Sequence, residues 1–159
     1  MKDHNFISTV LYIHNNSGCA GKFLTTLDNF LSERYKNYEI IVVDDHSEDN
    51  SLEEIRKSAW NFEGNVIIIK LPWYHGTEAA MIAGVNLSIG DYVFEIDSPD
   101  LDFDISLLEE LYKKMLSGFD VVSAVPKSKT AFLSKSFYLI FKKYSKQRIT
   151  LTSEYVRVV

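Results

Sequence analysis

Two hydrophobic rhythms alternate along the chain. Short, nearly continuous apolar runs recur at residues 7–13, 39–43 (EIIVV), 66–71, 91–96 (DYVFEI) and 119–125. Runs of this length, rich in Val and Ile, predict strands, and continuous rather than alternating apolarity suits a parallel sheet covered on both faces. Between them the apolar positions fall at helical spacing. Phe23, Leu24, Leu27, Phe30 and Leu31 predict a helix over 21–35. A second helix is expected over 51–60, with Asn50 or Ser51 at its cap. An Ala-rich helix is expected over 77–88, stopped by Gly90, and another over 105–117, capped by Asp104 and ended by Gly118. A basic helix at 131–146 closes the series, and residues 149–159 are again β-rich. That last segment stops abruptly, as a strand does whose partners lie beyond the end of the chain.

The strand–helix alternation predicts an α/β fold, a single domain over 1–159 with a mostly parallel sheet and helices on both faces. No internal repeat, linker or low-complexity tract interrupts it. The length suits one such domain, and 46% apolar with 25% charged residues is a globular composition.

Charge and cysteine usage narrow the function classes. A net charge of −5 argues against a general nucleic-acid binder. Cys19 is the one cysteine, which excludes an internal disulfide and a multi-cysteine zinc site and points to a reducing, cytoplasmic setting. The first ten residues lack the apolar run of a signal peptide, and no stretch of about 18 apolar residues is present to span a membrane. The charge is unevenly placed. From 121 to 153 there is no acidic residue, while Lys127, Lys129, Lys135, Lys142, Lys143, Lys146 and Arg148 fall there. Leu133, Phe137, Ile140, Phe141 and Tyr144 make one apolar face of this basic amphipathic segment, 127–148. Two readings stand side by side: a helix docked on the core, or a peripheral membrane-surface helix that attracts lipid phosphate.

Open α/β sheets bind ligands beyond the carboxyl ends of their strands, so the residues after each strand carry the candidate chemistry. They are His14-Asn15-Asn16, Asp44-Asp45-His46-Ser47, and Asp97-Ser98-Pro99-Asp100. Adjacent carboxylates at a strand end need partners, either a nucleotide or the turn itself. The dense carboxylates Asp97, Asp100, Asp102 and Asp104 suit a divalent cation with a diphosphate, or a solvated loop before a helix. His75-Gly76 opens a helix, where free N–H groups and a glycine allow close approach of an anion; the competing reading is a plain helix start with Ala79, Ala80 and Ala83 against the sheet. His14, His46 and His75 match no zinc spacing and read as polar loop residues.

Two longer stretches give these clusters a context. YEIIVVDDHSEDNS (residues 38–51) and HGTEAAMIAGVNLSIGDYVFEIDS (75–98) resemble, in order and spacing, the nucleotide-binding half of family-two glycosyltransferases. LLEELYKKMLSGFDVVSAV followed by SKSFYLIFKKYSK is similar to that family's dolichyl-phosphate-mannose synthase and polyprenyl-phosphate branch. The resemblance implies a GT-A (Rossmann-like) fold, a nucleoside-diphosphate sugar donor, Mg2+ or Mn2+, and inverting transfer to a lipid-phosphate or saccharide acceptor in polysaccharide or glycolipid assembly. By position it implies Asn15, Asp44, Asp45, Gly76 and Asp97 as nucleotide-sugar residues, with Asp45 at the base and Asp97 near the diphosphate. The metal would fall to Asp97 and Asp100, because the second Asp of the family's DxD stands here as Pro99. The Arg and Asn that precede the family's third helix stand here as Trp73 and Tyr74, and Arg157 is the match to an arginine after the basic helix. A non-catalytic GT-A module, binding a nucleotide sugar or a partner protein, is the competing class. A homo-oligomer or a partner transferase is open, since a sheet edge needs cover. A receiver domain is disfavoured because its acidic pair follows the first strand, and a dinucleotide dehydrogenase because no GxGxxG follows it.

Overall fold

The structure is a computed structural model that describes residues 2–60, 62, 64–100, 103–124 and 156–159. The expected helix at 131–146, the basic segment 127–148 and Asp102 lie outside the described residues. The elements in chain order are β1 (Asp3–Ile13), α1 (Ala20–Arg34), β2 (Tyr35–Asp44), α2 (Ser51–Ala59), β3 (Asn65–Lys70), α3 (Thr77–Val85), β4 (Tyr92–Ile96), α4 (Leu107–Met115), β5 (Val122–Ala124) and β6 (Val156–Val158). Every element expected within the described residues is present, with ends moved by a few residues. The largest extensions are at the starts of β1 and β2, where Asp3 pairs with Tyr35 ahead of the apolar runs.

The six strands form one sheet in the order β3-β2-β1-β4-β6-β5. β1 pairs in parallel with both β2 and β4, and β2 with β3. The winding direction reverses between β1 and β4, which puts the topological switch point at their carboxyl ends. β6 corrects one expectation: its partners are inside this chain. It lies antiparallel between β4 and β5, with Val156 opposite both Ile96 and Ala124. A strand of three residues is stable there because Val156 and Val158 are buried and both edges are hydrogen-bonded.

Period-two alternation sorts the sheet residues onto two cores. Ile7, Leu11, Ile13, Ile40, Val42, Phe94 and Ile96 meet α1, α2 and α4 on one face. Val10, Tyr12, Ile41, Val43 and Val93 meet α3 on the other. α3 sits on the sheet through Ala80, Met81 and Gly84, while Ala79 is exposed, a correction to the expected small-residue seat. The rotation follows from Gly84, where an added Cβ would stand 2.3 Å from Val10 Cγ1. One polar link is buried within the sheet: Ser8 Oγ donates to Glu39 Oε1 (2.6 Å), which also accepts the Ile89 N–H, and Gly90 N–H donates to Ser8 Oγ. This ties the turn before β4 to β1 and β2 in the middle of the sheet.

Candidate functional site

The three polar clusters meet along one edge of the sheet. Alternation along β2 sends Asp44 and Asp45 to opposite faces, and both are fully buried. Asp45 follows Ile41 and Val43 toward α3. Its Oδ1 accepts the His75 N–H (2.8 Å) and its Oδ2 the Gly76 N–H (2.8 Å), with Tyr12 Oη donating to Oδ2 at 3.3 Å. These amides open α3, so the carboxylate also meets the positive end of a helix. Gly76 has φ 87°, in the left-handed region that turns both N–H groups toward one acceptor. Burial pushes the Tyr12 phenol well above its ordinary value, so it stays a donor.

Asp44 follows Ile40 and Val42 to the other face. Its Oδ1 accepts the Ser47 N–H (3.0 Å) and closes the turn after β2. Its Oδ2 is buried with no hydrogen-bond partner among the described residues. A buried polar oxygen left this way is costly and suits a donor that arrives with a ligand.

The loop after β1 is sewn to the loop after β2. His14 Nδ1 lies 2.7 Å from the Asp45 carbonyl oxygen, which can only accept, so Nδ1 carries the proton and Nε2 accepts from Asn15 Nδ2 (3.2 Å). Asn15, at φ 54°, donates its N–H to Ser47 Oγ and accepts the Glu48 N–H on Oδ1. Asp49 accepts the Ser17 and Ser51 N–H groups, and Glu54 accepts the Gly18 N–H and the Ser17 hydroxyl. Asn50 is the N-cap of α2, as expected, without a side-chain cap bond of its own, and Asp49 tethers the same turn by accepting the Ser51 N–H. Cys19 donates to the Asn16 carbonyl, and burial, followed by the nearby Asp100 and Glu54 charges, raises its thiol above the ordinary value.

Across the switch point, Asn16 Nδ2 donates to Ser98 Oγ at 3.4 Å, and the Ser98 hydroxyl donates to Asp100. This brings the ends of β1 and β4 together, with Asp97 half-buried, Pro99 buried and Asp100 exposed. Among the described residues no group of three or more His, Cys, Asp or Glu side chains is assembled to hold an ion. A pair of carboxylates completed by substrate phosphates is the arrangement these residues allow. Asp104 does not cap α4 directly: it accepts the Ser106 N–H in the turn before it, with Ser106 at the cap. Arg157 forms a two-armed ion pair with Glu95 across the β4–β6 register (3.0 and 2.5 Å).

A sequence profile described as Glycosyl transferase family 2 matches residues 8–153. The chain belongs to glycosyl transferase family 2. Family-2 relatives include an undecaprenyl-phosphate 4-deoxy-4-formamido-L-arabinose transferase of Edwardsiella ictaluri, 30% identical over 78% of this chain and 38% of its own length. An uncharacterized glycosyltransferase of Synechocystis is 28% identical over 90% of this chain and 46% of its own. The chain thus spans less than half of each of these relatives. Among solved structures, glucosyl-3-phosphoglycerate synthase from Mycobacterium tuberculosis, in complex with Mn2+, UDP-glucose and glycerol 3-phosphate, superposes with a TM-score of 0.71 over 97% of this chain and 56% of that one, at 16% identity. Mannosyl-3-phosphoglycerate synthase from Rubrobacter xylanophilus gives 0.66 over 87% and 48%, at 21% identity. These likenesses establish the GT-A fold that the family-2 resemblance implied.

Proposed function

We propose that the described edge of the sheet is the donor site of a glycosyltransferase that takes a sugar from a nucleoside diphosphate and passes it to a lipid-phosphate or saccharide acceptor. The observation that carries this reading is the pairing of Asp45, locked onto the His75 and Gly76 amides, with Asp44, whose buried Oδ2 lacks a donor. In this reading Asp44, Asp45 and Gly76 bound the base pocket. Asn15 holds the β1 and β2 loops in register over the ribose, and Asp97 lies toward the diphosphate. Asp97 and Asp100 fit Mg2+ or Mn2+ held by one or two carboxylates plus phosphate oxygens. Such an ion supplies charge neutralisation to the departing diphosphate.

The reaction is an inverting displacement. An acceptor oxygen bonds to the anomeric carbon as the bond to the diphosphate oxygen breaks. A phosphate acceptor is already ionised near neutral pH and attacks without a general base. Relatives named for undecaprenyl-phosphate support that acceptor class. They also support a peripheral location at a membrane, for which the basic stretch from Lys127 to Arg148 supplies the charge. Among the described residues no helix is long and apolar enough to cross a membrane. Pro99 is the feature that favours a non-catalytic module; family membership and the transferase names of the relatives favour the enzyme.

Calorimetric titration with UDP and GDP, each with and without Mn2+, tests the proposal. Metal-dependent binding of one nucleotide, lost in Asp97→Ala, is the expected outcome. Binding of neither nucleotide under either condition would overturn it.

A further inference from the structure

The loop after β3 departs from the family pattern in its chemistry. Where that pattern has Arg and Asn before the third helix, this chain places Trp73, Tyr74 and His75. The backbone carrying them is fastened at both ends. Leu71 N–H donates to the Asp44 carbonyl (2.8 Å), and the His75 and Gly76 amides are held by Asp45. The rings are ordered as well. His75 Nδ1 is 2.6 Å from the Trp73 carbonyl oxygen, and the Trp73 and His75 rings stack at 5.3 Å with an interplanar angle of 21°. Tyr74 packs on His14 at 4.7 Å. Yet Trp73 remains 64% and Tyr74 59% exposed.

Large planar side chains held rigid and left open to water are the usual form of a stacking platform, because they bind a flat ligand without losing much side-chain freedom. Their place in the sheet decides which ligand. The loops follow one another along the edge in the order β4, β1, β2, β3, and the loop of Trp73 leaves β3 and folds back onto Asp45 and His14, on the β1–β2 side of the Asp97 loop. An extended nucleoside diphosphate whose phosphates lie at Asp97 carries its one planar group to the β2–β3 end of that row.

We infer that Trp73, backed by His75, is the stacking platform for the donor's nucleobase, and that Tyr74 on His14 walls the same pocket. This rests on the donor-site reading above and adds the residue that grips the base. Aromatic stacking is tolerant of base identity because every base has a π face. Trp73 therefore contributes affinity, and choice among bases falls to hydrogen-bonding groups elsewhere in the pocket.

The chain has two tryptophans, Trp60 and Trp73. In a Trp60→Phe background the emission of Trp73 reports directly. UDP, GDP and ADP, with Mn2+, are titrated beside inorganic pyrophosphate as a probe without a base. At least one nucleotide is expected to quench Trp73 saturably, and pyrophosphate is not. Trp73→Ala is expected to raise the Kd for that nucleotide about tenfold while leaving pyrophosphate binding unchanged. Trp73→Phe keeps a ring and is expected to stay within about threefold. Nucleotide binding equally tight in Trp73→Ala and the parent overturns the platform and leaves the donor site standing. Absence of nucleotide binding in the parent overturns the donor site and the platform together. Emission that responds to anionic phospholipid vesicles and not to nucleotide overturns the inference in favour of a membrane contact.

Discussion

At the scale of single residues, two adjacent aspartates do different work because a strand turns successive side chains to opposite faces. Asp45 satisfies two backbone amides at the mouth of α3; Asp44 closes a turn and keeps one buried oxygen unmatched. Asp45→Ala strands both amides and is expected to lower unfolding free energy by about 3 kcal/mol, the scale of charge-assisted hydrogen bonds left unmade. Asp44→Asn keeps an acceptor for Ser47 in a side chain of nearly the same size, so urea unfolding is expected to find it within about 1 kcal/mol of the parent. The sequence singled out both residues and the family pattern they follow. It left open which one is anchored, because the partners of Asp45 are amides 30 and 31 residues away. Distance in sequence also hid the ring cluster: His14 and Tyr74 are loop residues in sequence and neighbours only once β1 and β3 share a sheet.

At the scale of elements, the amino ends of α1 and α2 are clasped by carboxylates. Glu54 is held below its ordinary range, chiefly by the Gly18 amide. Asp49 is lowered too: burial opposes ionisation, but hydrogen bonds from Ser51 and Ser17 outweigh it. Both are less proton-binding in the folded chain than in the unfolded one. Their contribution is therefore full above the unfolded carboxylate values and is lost as pH falls through the lower folded ones. Stability is expected to be flat in this respect from pH 6 to 8 and to drop below about pH 4, with a shallower drop in Glu54→Gln. Acid unfolding followed by circular dichroism checks it, and an unchanged slope in Glu54→Gln would remove the clasp from the account. The helices themselves were legible from apolar spacing, since α1, α2 and α4 each bury one face. β6 was misplaced because three residues carry no period of their own; their position is set by pairing with β4 and β5.

At the scale of the whole molecule, the fold separates two edges. The carboxyl edge carries Asp44, Asp45, Gly76, Asp97 and the aromatic loop. The opposite edge has a cleft of about 570 Å3 lined by Lys2, His4, Arg34, Glu109, Tyr112 and Lys113, in which Arg34 and Lys113 are already paired with Glu109. Burial also pushes Tyr112 up to about 12, leaving a neutral phenol bonded to Asn5 and Asp3. The cleft's Arg34 and Lys113 have their counter-charge, whereas Asp44 Oδ2 is buried without a donor among the described residues. An 18.3 kDa chain is suited to mapping this by amide NMR. Titration with UDP or GDP and Mg2+ is predicted to shift the amides of residues 14–18, 44–49, 73–77 and 97–100 and to leave those of His4, Tyr112 and Lys113 in place. Shifts gathered on the cleft of Lys2 and Tyr112, with the strand-end loops unmoved, would contradict the account.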